Sequence, residues 1–499
     1  MPPEDAVIPG PAAVAGDGTG PAAEAPALLG ADVPLDLAPL SAALSAGALV
    51  TDDDVVAAHA EDRARFCPAG RARGLVRAKS VEDVQATLRF AHEHRVPVVP
   101  QGARTGLSGA ANAVEGCLLL SVAGMDRVLH VDEVEKTVRV EPGVINQDLK
   151  DHLKPYGLSY PPDPGSVAIS TIGGNVATNA GGLCCVKYGV TRDYVRALRV
   201  VLADGSLTTV GRPTAKGVAG LELGQLFVGS EGTLGVVVEV LLELVPALPD
   251  PITGVALFAD PAHAAATVTD FMGSGARPAL LELLDGANIR LLSAFGDFGL
   301  DESAGAMLLV QSNGDGSLEA AAAELESFTA IARDNGATEV MFSEDPADAE
   351  LLIVARRSIG PAGEKFCHEN GYSSLVDDIC IPRARLAEYF ARQDALQAEY
   401  PQLFFNTAAH AGDGNLHPCV MFPQDDAEAV AQAQEAFGRI MQLGLELGGT
   451  ITGEHGVGAL KAPWLGQELD EANRRMHRGI KQALDPRGIL NPGKMLSGL

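Results

Sequence analysis

Basic side chains are scarce in this chain: 37 Lys and Arg stand against 65 Asp and Glu in 499 residues, a formal net charge of -28. Such a field repels polyanions, which disfavours non-specific binding to nucleic acid or anionic lipid, and any anionic substrate must meet a local positive charge. Cysteine is sparse too. The seven are scattered singly, apart from Cys184 and Cys185, which sit too close for an unstrained bridge, and there is no C-x-x-C pair. An odd number without a framework reads as reduced thiols in a cytoplasmic protein. Long apolar runs are missing as well. The best, Val236 to Val245, is interrupted by two Glu, so no membrane span is expected. The start, Met1 to Asp32, has no Lys or Arg ahead of its apolar residues and is broken by Pro and Gly, unlike a secretory leader.

What remains is an ordinary globular composition, 46% hydrophobic and 20% charged, in a chain too long for one core of ~250–300 residues. Residues 1–40 read as a disordered tail and 41–67 as a short helical segment, with Asp52 to Asp54 placing negative charge at a helix start. A first domain then spans 68–248. Ser80-Val-Glu-Asp83 resembles a capping box, and Val81, Val84, Leu88 and Ala91 recur at helical spacing before a buried strand at Val96 to Val99. Val195 to Ala203, Asp204-Gly205 and Leu207 to Val210 form a hairpin. After a linker at Pro246 to Pro251, residues 249–499 alternate strands with helices, predicting a sheet with helices on one face and a final helix from Trp464 to Leu484.

Gly102, Gly106 and Gly109 follow the Val96–Val99 strand, where bare backbone can approach phosphate oxygens. A Rossmann turn needs a helix directly after that loop. Here AANAVEG leads into an apolar strand from Cys117 to Val122, which disfavours a nicotinamide site. Three more segments share the character: Tyr160 to Gly165, Ser170 to Gly182 and Gly229 to Gly235. In order and spacing, PQGARTGLSG, PPDPGS, STIGGNVATNAGG and VGSEGTLG resemble the FAD-linked oxidases of the vanillyl-alcohol-oxidase fold. The resemblance implies an α+β architecture: a two-subdomain FAD-binding domain of the vanillyl-alcohol-oxidase (PCMH) type, then an α+β cap domain with an antiparallel sheet. It also implies that Pro100, Gln101, Gly102, Ala103, Arg104, Thr105, Gly106 and Gly109 receive the pyrophosphate, and that Pro162 and Asp163 flank the flavin. Thr171, Ile172, Gly173, Gly174, Asn175, Asn179, Gly182, Glu231, Gly235, Val237 and Asn491 complete the cofactor set. The loop has no histidine, so the FAD is expected to be non-covalent.

Ala409-His-Ala-Gly-Asp-Gly-Asn-Leu-His417 sets two imidazoles astride a tight turn, and Thr452-Gly-Glu-His-Gly456 adds a carboxylate and a third imidazole. Two His and one Glu suit an open metal site, for which Zn, Mn and Fe all qualify. This cluster resembles that of the glycolate oxidase catalytic subunit, D-lactate dehydrogenase and D-2-hydroxyglutarate dehydrogenase. By that resemblance His410, His417 and Glu454 hold the metal and His455 is the base. A small D-2-hydroxy acid, D-lactate or glycolate, would lose hydride to flavin N5. Arg356 or Arg357 supplies the counter-charge for its carboxylate, and the resemblance favours Arg356. Val376 and Cys419 stand where the resemblance puts polar contacts to a larger substrate. Lys187, Tyr188 and Arg192 read as surface residues, and Trp464 as a packing residue. The acceptor is open: a quinone, an electron-transfer flavoprotein, a cytochrome, a partner subunit or oxygen, with a cytoplasmic protein held at the membrane only through that acceptor. Two other readings compete, a metallohydrolase on the same ligands and a flavin subunit that only relays electrons.

Overall fold

The computed structural model describes residues 27–247 and 249–499. Residues 1–26 of the expected tail, and Leu248 in the expected linker, lie outside the described residues. From Ala27 onward the tail reading fails. Leu28, Leu29, Leu35 and Leu37 pack on the first core, Leu40 is fully buried within it, and the Arg73 guanidinium donates to the Gly30, Ala31 and Val33 carbonyls. Those leucines lie among Pro, Gly and Asp without a helical period, yet burial rewards apolar area rather than periodicity.

Two small sheets make the N-terminal half. The first runs in the order Leu49–Val50, Gly74–Arg77, Leu118–Ser121, Val98–Gln101, its last three strands parallel. The helix Val81–His94 covers it, with Val84, Leu88 and Ala91 buried. Ser80 caps this helix through the Asp83 amide, but the Asp83 carboxylate accepts from Lys79 and Ser45 amides, so the reciprocal half of a capping box is absent. Val98–Gln101 and Leu118–Ser121 are adjacent and parallel, joined by a loop with no crossover helix. The second sheet is antiparallel, in the order Val128–Asp132, Thr137–Val140, Val236–Glu243, Val195–Val201, Leu207–Gly211. Gly205, at φ 81°, turns its predicted hairpin.

The C-terminal half is built on an antiparallel sheet ordered Glu339–Ser343, Ile252–Phe258, Ala306–Ser312, Leu280–Asp285, Phe404–His410, Asn415–Pro423, Tyr372–Val376. Helices cover both faces rather than the expected one. Pro261–Gly273, Leu318–Asp334, Leu386–Glu399 and Ala427–Glu446 bury the larger core, whereas Gly286–Phe295 and Ile359–Asn370 lie on the opposite face. The predicted final helix divides into Ala462–Glu468 and Glu471–Leu484, because Asp470 accepts from the Asn473 amide and starts a new helix. Trp464 packs edge-on against Phe437. The chain then returns to the first sheet, where Leu490 bridges Val98 and Ile489 and Leu490 are buried. No described helix is long and apolar enough to cross a membrane.

Candidate active site

The site stands on one face of the large sheet, and strand alternation explains which residues meet there. Leu284 pairs with Ala408, and Ala408 with His417; the next row on the same face joins Asn406 to Cys419 and Cys419 to Val376. In the other direction the alternation brings Glu282 opposite His410. The Gly412–Gly414 turn folds this hairpin as the sequence suggested, and its rings lie edge to face with centroids 5.0 Å apart.

His410 Nε2 lies 3.1 Å and His417 Nε2 3.2 Å from the same oxygen, Glu454 Oε1. Glu282 meets His410 Nδ1 at 2.8 Å and also accepts from Arg356 Nε at 2.7 Å. That contact occupies Nδ1 and leaves Nε2 as the nitrogen that would face a metal once the ring has given up a proton. Burial disfavours a charged His410 ring, but the facing Glu282 and Glu454 carboxylates prevail and raise its pKa to about 10. His455 stacks on His417, centroids 4.9 Å apart, and burial lowers its pKa to about 4, leaving a neutral ring.

The Thr452–Gly456 loop owes its position to Asp378. One buried oxygen, Oδ2, accepts from Thr452 Oγ1 and from the Gly453, Glu454 and His455 amides. Burial pushes the Asp378 carboxyl up, yet the positive charge facing it, that of Lys461 included, holds it well below the usual carboxylate range. Ligand-type atoms of Asp378, His417, Glu454 and His455 lie within 4.8 Å of one another. With four donors on one oxygen, Asp378 anchors the loop, and the less committed donors are Glu454 and the two Nε2 atoms.

His410, His417, Glu454 and His455 line a cavity of about 830 Å³ that the glycine loops also wall. Gly102 to Gly106, Thr171, Gly173 to Asn175, Glu231, Gly235 and Val237 line it, and a cavity this large suits a ligand of dinucleotide bulk. The two loops press together so closely that a Cβ on Gly102 would collide with Thr171 Oγ1. Glu231 accepts from the Val457 and Gly458 amides, and burial raises its pKa to about 7.

Comparison with known proteins decides the family. Residues 72–211 match the family description "FAD binding domain", and residues 250–495 match "FAD linked oxidases, C-terminal domain". The chain is 40% identical to glycolate oxidase subunit GlcD of Bacillus subtilis (strain 168), over 85% of this chain and 88% of that one. The chain belongs to the FAD-linked oxidases. It is also 34% identical to D-lactate dehydrogenase of Anaerostipes hadrus, covering 85% of this chain and 90% of the relative. In fold it is similar to alkyldihydroxyacetonephosphate synthase (TM-score 0.73, 20% identity, 93% and 88% of the two chains) and to p-cresol methylhydroxylase with substrate bound (TM-score 0.73, 16%, 92% and 96%).

In this FAD-linked oxidase Pro100, Gln101, Arg104, Arg356, Arg357, Val376 and Cys419 also line the cavity. Seven residues of the expected cofactor set stand behind its wall. Gly109 gives its carbonyl to Lys494, and Asn491 donates to the Ala110 and Glu231 carbonyls. The Pro162 carbonyl accepts from Asn146, Asp163 accepts from the Cys184 amide, and a Cβ on Gly182 would strike the Asp163 carbonyl. Ile172 is core, and Asn179, left-handed at φ 53°, caps its helix. Lys187 is not at the surface as expected: its buried ammonium binds Asn313 and Asp315 and ties the two halves together. Sequence reasoning missed Glu282, Asp378, Asn288 and Asn406. The one local signal is the strand LLELLD, where two carboxylates, Glu282 and Asp285, stand among four leucines.

Proposed function

We propose that this chain oxidises a small D-2-hydroxy acid, of the size of glycolate or D-lactate, to the 2-oxo acid. The observation carrying this reading is the convergence of His410 Nε2 and His417 Nε2 on Glu454 Oε1 inside the cavity walled by the glycine loops. Two imidazoles and a carboxylate fit a divalent metal, and the donor set leaves positions open for substrate. The bare backbone of Gly102, Gly106, Gly173 and Gly174 in the cavity wall fits FAD. When bound, FAD supplies the two-electron acceptor and the metal a Lewis acid for the substrate hydroxyl.

The chain's own residues do the rest. Glu282 holds Arg356 by Nε, and Arg356 Nη2 has no hydrogen-bond partner among the described residues, so a substrate carboxylate beside it answers a buried, unsatisfied donor. Arg357, paired with Asp163 at 3.4 Å, lines the same stretch and adds positive potential in an acidic protein. His455, neutral and pinned at its amide by Asp378, takes the hydroxyl proton. A hydrolase on the same three ligands would leave the glycine loops without a use.

The test is anaerobic mixing of the FAD-loaded, metal-replete protein with D-lactate, glycolate and L-lactate. Bleaching of the flavin by the D-acid or glycolate, and not by L-lactate, is expected. A flavin that no small 2-hydroxy acid bleaches sinks the proposal.

A further inference from the structure

One row of the sheet beyond the imidazoles, the cavity wall changes character in a way that metal, base and Arg356 do not account for. Two residues along each strand, about 7 Å from the Ala408–His417 row, Asn406, Cys419 and Val376 stand side by side on three strands, and Leu291 and Met421 complete an apolar surround. Into this surround Asn288, from the first turn of the helix Gly286–Phe295, brings a second amide. Asn288 is 0% and Asn406 2% exposed. The two are brought together by one carboxylate: Asp285 accepts from Asn288 N and Nδ2 through Oδ1, and from Thr407 N, next to Asn406, through Oδ2. Because Asn288 Nδ2 is committed to Asp285, its Oδ1 is the free atom, and Asn288 Oδ1 and Asn406 Nδ2 both lack a hydrogen-bond partner among the described residues.

A buried acceptor and a buried donor left open beside a substrate cavity select chemistry. A methyl group satisfies neither, and each unmet group keeps its desolvation penalty. A carboxylate only accepts, so it would leave Asn288 Oδ1 facing negative charge. A hydroxyl both donates and accepts. Resting on the function proposed above, we infer that Asn288 and Asn406 form a subsite for a hydroxyl on the carbon next to the reacting carbinol. The preferred substrate class is then a short 2,3-dihydroxy acid. Its C3 hydroxyl donates to Asn288 Oδ1, accepts from Asn406 Nδ2 and takes no part in the oxidation. The apolar row of Val376, Cys419, Leu291 and Met421 limits how far the chain extends.

D-glycerate and D-lactate differ at C3 by this hydroxyl, and they are the probes. With the FAD-loaded, metal-replete enzyme, anaerobic flavin reduction is expected to favour D-glycerate in kcat/KM by on the order of 10⁴-fold, since a site built to bond a hydroxyl rejects the analogue lacking it. Asn406→Leu, close in volume, is expected to lose most of that ratio, because the substitution falls far harder on D-glycerate than on D-lactate. General damage from the substitution would slow both acids alike and leave the ratio intact. Equal use of the two acids by the unaltered enzyme, or an unchanged ratio in the variant, overturns the subsite but not the hydroxy-acid oxidation. A flavin that neither these acids nor glycolate bleaches removes both.

Discussion

Glu282 is the most exposed point of the proposed mechanism to attack by mutation. Its buried carboxylate serves two groups at once, His410 Nδ1 at 2.8 Å and Arg356 Nε at 2.7 Å. Replacing Glu282 by Gln keeps the volume, removes the charge and turns an N–H against one of the two donors. Loss of the outer partner of a metal-binding imidazole costs roughly 10- to 100-fold in metal affinity, about 1.4–2.8 kcal/mol. Arg356 is left buried without its counter-ion, a change that in buried pairs costs about 3–5 kcal/mol when the partner is removed outright, and less where an amide oxygen remains. One effect opposes the first. The pKa of about 10 at His410 means that metal must displace a proton at neutral pH, and without Glu282 that proton is held less tightly. Calorimetric titration with Zn in buffers of different ionisation enthalpy separates the two. The unaltered protein is expected to release about one proton per metal and to bind more tightly as pH rises. Glu282→Gln is expected to release fewer protons, to gain less affinity as pH rises, and to show a raised KM because Arg356 has lost its brace. A variant that matches the unaltered protein in affinity, proton release and KM would refute the coupling.

His455→Ala is expected to keep FAD and metal yet lose flavin reduction by about 10²- to 10⁴-fold in single-turnover mixing; an unchanged rate removes the ring from the base role. Chelation followed by desalting is expected to abolish turnover while the flavin absorbance stays with the protein, and full activity in a verified metal-free sample argues against the His410, His417 and Glu454 site. Glu231 gives a pH prediction. Its folded pKa of about 7 lies above its ordinary 4.5, so the folded protein binds this proton more tightly, and its contribution is present below about pH 4.5 and lost as pH rises through 7. The gap in urea midpoint between the protein and Glu231→Gln is therefore expected to change between pH 5 and pH 8, and a constant gap would show that the carboxyl ionises normally.

The parts of the site legible in the sequence are those written locally. The glycine loops and the His410–His417 hairpin each occupy a short run, so spacing alone brings their atoms together. Glu282 reaches His410 across 128 residues, through a strand pairing that no local pattern specifies, and Asp378 reaches His455 across 77. Asn288 and Asn406 look like ordinary polar residues until the register of the sheet puts them beside the cavity. Helix and strand periodicity located most elements of the second half, but the break at Asp470 and the packing of the leucines from Leu28 to Leu40 depend on a single cap and on tertiary burial.

The return of the chain to the first sheet also sets an order of events in the cell. The loop of Gly102 to Gly109 is braced by Asn491 and Lys494, partners 381 and 385 residues later than the atoms they hold. While the ribosome is still translating the cap, that loop has its strands but not its clasp. The cofactor cradle is therefore completed only after Lys494 has emerged.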